Sequence, residues 1–353
     1  MTLTEHLIAR IQRAGPMTVA DYMAECLLHP TLGYYTIRDP LGAAGDFTTA
    51  PEISQMFGEL IGLSLAQTWL DQGAPTPFIL AEAGPGRGTL MADVLRATRA
   101  VPGFHAALRL HLIEASPTLR AIQADTLAQY APAWHDTVAG LPDGPLFFIA
   151  NEFFDALPIR QFVREGSAWR ERRIIASDGD LRFALTEPGP VSALDHRLQD
   201  TQDGDLVELC PAAPAIAADL GQRIAQHGGA ALILDYGDWR SLGDTLQALH
   251  RHQHVDPLTS PGQCDLTSHV DFEALAVAAA PAKFTRLSTQ GVFLERLGIT
   301  GRAQALASKL SGPDLENLIA AHRRLTHPAE MGTLFKVLGL YPDGKTAPPG
   351  LEA

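Results

Sequence analysis

Predominantly apolar runs at residues 78–83, 109–114, 145–150 and 230–235 alternate along the chain with stretches of helical spacing at 89–99, 117–129 and 212–227. Runs of that length, apolar on both faces, predict strands buried inside a sheet, and the helices between them make right-handed crossovers between parallel neighbours. A further apolar run at 334–338 predicts a last strand. Ahead of the alternation, residues 53–70 repeat at helical spacing with Gly58 and Gly62 four apart on one side, which lets that helix pack closely on a neighbour. Residues 2–27 predict two short helices, the first capped by Thr4 and ended by Gly15-Pro16, the second capped by Thr18. In 159–185 the pattern switches to alternation, Gln161-Phe162-Val163 and Arg172-Arg173-Ile174-Ile175 flanking Gly166-Ser167, as expected of antiparallel strands. Residues 244–282 read as a loop-rich insertion ending in a helix from about Val270, and the tail from Pro342 as frayed.

These elements divide the chain into residues 1–70, a helical region with a covering loop; 71–158, 205–243 and 284–340, the core; and 159–204 and 244–283, insertions on the substrate side. The first core strand runs into Glu82-Ala83-Gly84-Pro85-Gly86-Arg87-Gly88-Thr89. Glycines at such a turn permit positive φ and let a ligand lie against bare backbone at the strand's carboxyl end. A dinucleotide fingerprint wants a third small residue where Thr89 stands, so NAD is disfavoured without being excluded, and the absence of Lys-Ser or Lys-Thr removes a P-loop. Glu82 at the strand end can accept a hydrogen bond from a cationic ammonium, which suits S-adenosylmethionine. Glu114 ends the next apolar run, where a carboxylate can take both ribose hydroxyls. A third strand ends in Asn151-Glu152-Phe153-Phe154-Asp155-Ala156-Leu157-Pro158, two carboxylates and an amide among aromatic residues. Asn151 as a helix cap over an aromatic core is the structural alternative there.

Together with Gly45-Asp46-Phe47-Thr48-Thr49-Ala50-Pro51-Glu52 and Asp265-Leu266-Thr267-Ser268-His269-Val270-Asp271-Phe272, these motifs resemble the MidA family over about Thr18 to Val337. The resemblance implies an α/β fold with a Rossmann-like class I methyltransferase sheet, a helical N-terminal appendage and an inserted β/loop subdomain. It implies S-adenosylmethionine as cofactor, with Glu82, Gly84, Gly86, Gly88, Glu114 and Asn151 holding it, and a loop from Asp46 to Glu52 lying over it. The family's mitochondrial members are complex I assembly factors that symmetrically dimethylate an arginine of a core subunit, so a protein substrate, and such a subunit in particular, is implied as partner. A guanidinium titrates far above neutrality, and bringing it to its neutral form at pH 7 costs roughly 9 kcal/mol, so carboxylates should clamp the cation rather than wait for deprotonation. Glu152 and Asp155 are the first candidates for the clamp, with Asp46 and Glu52 behind them. Two other readings stay open: an assembly protein that binds the cofactor and holds a partner without catalysis, and an NAD-dependent oxidoreductase.

Composition narrows the partners. With 40 acidic against 27 basic residues and a formal net charge of -13, binding nucleic acid through a broad basic surface is not expected, whereas a basic protein segment is compatible. The basic cluster from Arg164 to Arg173 reads as the outer face of a hairpin. Cys26, Cys210 and Cys264 are too few and too scattered for a disulfide framework, and no apolar run reaches the ~18 residues of a membrane span, so a cytoplasmic protein without membrane insertion is expected, in which a homo-oligomer is allowed. No metal site is expected: His250, His252 and His254 alternate, but Arg251 is a poor neighbour for a cation.

Overall fold

The computed structural model describes residues 1–37, 49–250 and 253–353. The chain forms two compact units, one from Met1–Phe47, Asp155–Ala213 and Arg240–Asp271, the other from Thr48–Phe154, Pro214–Trp239 and Phe272–Ala353.

The second unit is built on one sheet. Its strands are β1 (Phe78–Ala83), β2 (Leu108–Ile113), β3 (Ala133–His135), β4 (Leu146–Asn151), β5 (Gly229–Asp238), β6 (Lys283–Phe284) and β7 (Phe335–Tyr341), in the spatial order β6-β7-β5-β4-β1-β2-β3. From β5 to β3 the neighbours are parallel, while β7 runs antiparallel to both β5 and β6. Every residue of β1 and β4 is buried, which is why both appear in the sequence as largely apolar runs, with Glu82 and Asn151 the polar exceptions near their ends. Strand order reverses at β1, which has β4 on one side and β2 on the other, and in such open sheets the crevice at the strands' carboxyl ends is where ligands sit.

Helices α1 (Gln55–Asp71), α2 (Thr89–Ala97), α3 (Pro117–Thr126) and α4 (Ala213–His227) accompany the sheet. The expected helix at 53–70 is broken at Ser54, whose extended backbone separates a short turn of helix, Ala50–Ile53, from α1 and whose hydroxyl accepts from the Met56 amide. Helix α1 packs on α2 through its two glycines. A Cβ at Gly58 would stand 2.6 Å from Asp93 Cβ, and one at Gly62 would stand 2.9 Å from Val94 Cα. Buried Glu59, between the two glycines, receives Arg96 from α2 at 2.6 Å and Arg302 at 2.7 and 3.0 Å. The tail does not fray: the Ser64 hydroxyl donates to the Pro349 carbonyl at 2.9 Å, the Arg286 amide to that of Glu352 at 2.8 Å, and Leu351 packs on the core.

In the first unit, helices Leu3–Ala14 and Val19–Leu28 pack on an antiparallel sheet in which Ala168–Ser177 pairs with Arg160–Glu165, Asp180–Leu185 and Met17–Thr18, and Arg160–Glu165 with Leu206–Leu209. The first helix is capped by Thr2, not Thr4, because Thr2 and Glu5 complete a reciprocal capping box. The arginines of the hairpin are engaged within this unit: Arg160 forks onto buried Glu171 at 2.7 and 2.9 Å, and Arg172 lies 4.1 Å over the Phe183 ring while pairing with Asp244. The helix expected from about Val270 begins at Phe272, and residues 265–267 ahead of it form a strand against Gln247–His250. No helix among the described residues is long and apolar enough to cross a membrane.

Candidate active site

After β1 the chain turns through Gly84, Gly86 and Gly88, all at positive φ (63, 54 and 83°), and Gly88 is the N-cap of α2. A Cβ at Gly84 would meet Phe153 Cδ2 at 3.1 Å, so the residue after Glu152 already lies against the turn. Gln123 from α3 binds the turn from the other side: its amide donates to the Gly86 carbonyl at 2.7 Å and to Glu114 Oε2 at 3.2 Å, and its own carbonyl accepts from the Trp134 indole at 2.8 Å.

Glu82 is 2% exposed, and its Oε2 has no hydrogen-bond partner among the described residues. Burial, and after it the charge of Glu114, push its pKa up to about 8. Glu114 lies one residue beyond β2, its backbone amide donating to the His135 carbonyl at 3.1 Å and its Oε1 accepting from the Ser116 amide at 2.8 Å. Burial raises its pKa against the opposing pull of the Ser116 amide and Gln123. Asn151 closes β4; its Nδ2 donates to Glu152 Oε1 at 3.2 Å, and its buried Oδ1 likewise has no partner among the described residues. A buried carboxylate oxygen and a buried amide oxygen left without donors are the acceptors a cationic ligand group would satisfy.

Glu152 is half-buried at φ 51°, a left-handed conformation rare outside glycine. Its Oε1 also accepts from the Ala50 amide at 3.2 Å. Glu52, on the same short helical turn as Ala50, accepts at Oε1 from the Thr89 hydroxyl at 2.6 Å, which ties that turn to the start of α2. Glu52, Glu82, Glu114, Asn151, Glu152 and the three glycines therefore all belong to one unit, around the carboxyl ends of β1, β2 and β4. Asp155 belongs to the other unit. There it is 4% exposed, its carbonyl accepts from the Ser268 amide at 3.0 Å, and Tyr35 donates to the nearby Asp265 carboxylate at 2.8 Å. Asp46 lies outside the described residues.

The sequence does not single out Gln123 as a contributor to this arrangement, and it leaves Asp235, at the end of the apolar run 230–235, with two readings, facing a ligand or ending its strand. Asp235, fully buried in the carboxyl-terminal half of β5, accepts from the amides of Phe153 at 3.2 Å and Phe154 at 2.9 Å. Of the alternating histidines set aside as a metal site, His254 pairs with Leu249 across a hairpin and His250, one residue on from Leu249, faces the opposite side, while His252 lies outside the described residues. A cluster of His6, Glu25 and His29 has ligand spacing, but Arg10 holds the Glu25 carboxylate at 2.6 Å and the Thr31 amide donates to His29 Nδ1 at 3.3 Å.

A family model described as "Putative S-adenosyl-L-methionine-dependent methyltransferase" matches residues 60–289. The protein arginine methyltransferase NDUFAF7, mitochondrial, of Rattus norvegicus is 38% identical over 371 residues, 96% of this chain and 84% of its own. The Homo sapiens protein of that name is 37% identical over 96% of this chain and 83% of its own. Among solved structures, a COG1565 superfamily member from Burkholderia thailandensis bound to S-adenosyl-homocysteine is similar with a TM-score of 0.83 and 30% identity, covering 99% of this chain and 93% of that one. The expected cytoplasmic location is corrected by the curated relatives, which are named mitochondrial. Three scattered cysteines that form no disulfide suit a reducing compartment and do not tell one such compartment from another. Matched along almost its full length, the chain belongs to this family of S-adenosyl-L-methionine-dependent methyltransferases, which includes the NDUFAF7 proteins.

Proposed function

We propose that the protein transfers methyl groups to a guanidino nitrogen of a protein arginine, and that the acceptor is a core subunit of respiratory complex I, symmetrically dimethylated in support of assembly. The observation that carries the reading is Glu152, a carboxylate on a left-handed corner directly after β4 and beside the glycine turn, in a chain similar over 96% of its length to proteins named protein arginine methyltransferases. When bound, S-adenosylmethionine supplies an electrophilic methyl group on a sulfonium.

The residues fit that ligand. The turn at Gly84, Gly86 and Gly88 offers bare backbone, Glu82 and Asn151 offer buried acceptors to its ammonium, and Glu114 offers a carboxylate to its ribose hydroxyls. Glu152 takes the guanidinium, with Glu52, on the short helical turn whose Ala50 amide bonds Glu152, as a further carboxylate of the clamp. A carboxylate that forks onto guanidinium fixes the direction of the attacking nitrogen, and orientation of this kind is a large part of what a methyl transfer needs. The guanidinium keeps its proton until transfer begins, and the clamp then accepts it.

The test is mass spectrometry of respiratory complex I from a strain lacking this protein, complemented with wild type, Glu152→Gln or Gly86→Val. Dimethylarginine on a core subunit should be restored by wild type and by neither variant. Restoration by Glu152→Gln would remove Glu152 from the clamp, and an arginine pattern unchanged by the deletion would remove complex I as the substrate.

A further inference from the structure

The residue directly after β4 is held in a conformation that local forces do not favour. Glu152 sits at φ 51°, which a residue with a side chain rarely adopts and which persists only where the surroundings over-determine it. Here the surroundings are the carboxyl-terminal half of β5. The Glu152 amide donates to the Leu234 carbonyl at 2.9 Å, and a single oxygen of Asp235, Oδ2, collects the next two amides, Phe153 at 3.2 Å and Phe154 at 2.9 Å. The other oxygen, Oδ1, accepts from the Tyr236 amide at 3.0 Å, so the carboxylate is locked onto its own strand while it holds the corner. Charge-assisted bonds to buried amides are stronger than neutral ones, and two successive amides aimed at one oxygen form a small anion nest.

The corner decides where two side chains go. Glu152 projects so that its Oε1 meets the Ala50 and Asn151 donors, and Phe153 lies against Gly84 of the cofactor turn. A corner relaxed to ordinary φ would turn the Glu152 Cα–Cβ bond to a different direction and free both contacts. We propose that Asp235 is a positioning residue for methyl transfer, holding Glu152 in its strained conformation through the amides of Phe153 and Phe154. The inference rests on the reading of Glu152 as the guanidinium clamp.

Asp235→Ala and the near-isosteric Asp235→Asn test it, each alone and combined with Glu152→Gln, on the full chain. Amide hydrogen exchange should rise about tenfold or more over residues 152–154 in Asp235→Ala and less in Asp235→Asn, which keeps one acceptor oxygen, with β1 and β2 unchanged. Affinity for S-adenosylhomocysteine, measured by calorimetry, should stay within about threefold, because Glu82 and Glu114 are not touched. With complex I from the deletion strain as acceptor, kcat should fall about tenfold or more at unchanged KM for S-adenosylmethionine, and the Asp235→Ala, Glu152→Gln double variant should be no slower than Glu152→Gln alone. Multiplying losses in the double variant, or unchanged exchange at 152–154, would overturn the assignment. So would a general loss of exchange protection in both single variants together with lost ligand affinity, which marks a purely structural residue. An inactive wild type would count against the substrate reading instead, and the exchange result decides the positioning claim without it.

Discussion

Glu82 titrates where exposed carboxylates do not. Raised to about 8 by burial and then by Glu114, it holds a proton at neutral pH unless a cation lies beside its Oε2. An ammonium placed there favours the charged form, so binding expels the proton. S-adenosylhomocysteine should therefore bind up to about tenfold more tightly per unit as pH rises toward 8, and calorimetry in buffers of different ionisation enthalpy should register proton release at about pH 7. Affinity that stays flat across that range would contradict the role given to Glu82. The sign for folding runs the other way: with its pKa above the ordinary 4.5, Glu82 favours the folded, unliganded protein at low pH, and that contribution disappears as pH rises through about 8. Glu82→Gln should remove both dependences. Glu82 and Glu114 are legible in the sequence because each is an acid at the end of an apolar run. Asp235 ends an apolar run in the same way, but its hold on the next corner is not legible, and Gln123 is not legible at all, since what makes them matter is donors 81 and 82 residues away in the one case and an acceptor 37 residues away in the other. The left-handed backbone of Glu152 leaves no trace in residue type at all.

At the scale of elements, the contact between α1 and α2 sets where the glycine turn ends, because α2 begins at that turn. Gly62 stands so close to Val94 that a side chain there must push the helices apart, and overpacking of this kind costs typically about 1–3 kcal/mol. Gly62→Val should lower the melting temperature by several degrees and weaken S-adenosylhomocysteine as α2 shifts; calorimetric unfolding that matches wild type would show the contact to be looser than described. The strands of the core sheet were legible because burial on both faces writes itself as a largely apolar run, and the pair of glycines because their spacing is helical. Other elements depend on distant partners. Asp265, Thr267 and Ser268 look like capping residues locally, yet 265–267 is drawn into a strand by Gln247–His250, and the break at Ser54 is a matter of how the preceding turn meets β4 and α2. The tail from Pro342 has the composition of a frayed end and is nonetheless anchored, because the bonds that hold it come from Ser64 and Arg286.

For the molecule as a whole, a net charge of -13 favours encounter with a cationic protein segment at low salt and hinders it little otherwise. Raising ionic strength across a Debye length of about 10 Å to one near 3 Å should raise KM for the protein acceptor severalfold while leaving affinity for S-adenosylhomocysteine nearly constant, and kinetics at two salt concentrations would separate them. An acceptor KM that ignores salt would mean the substrate is not read through its charge. Deleting residues 342–353 should cost stability measurably, since Leu351 and the bonds to Ser64 and Arg286 go with them; an unshifted melting curve would show the tail to be passive. The central claim is that the glycine turn and its strand-tip acids hold the methyl donor while Glu152 serves only the acceptor. Calorimetric titration of wild type, Gly86→Val and Glu152→Gln with S-adenosylhomocysteine tests that division directly. Saturable binding to wild type, loss in Gly86→Val and wild-type affinity in Glu152→Gln is the predicted result. No binding to wild type, or affinity lost with Glu152→Gln and kept in Gly86→Val, would contradict it.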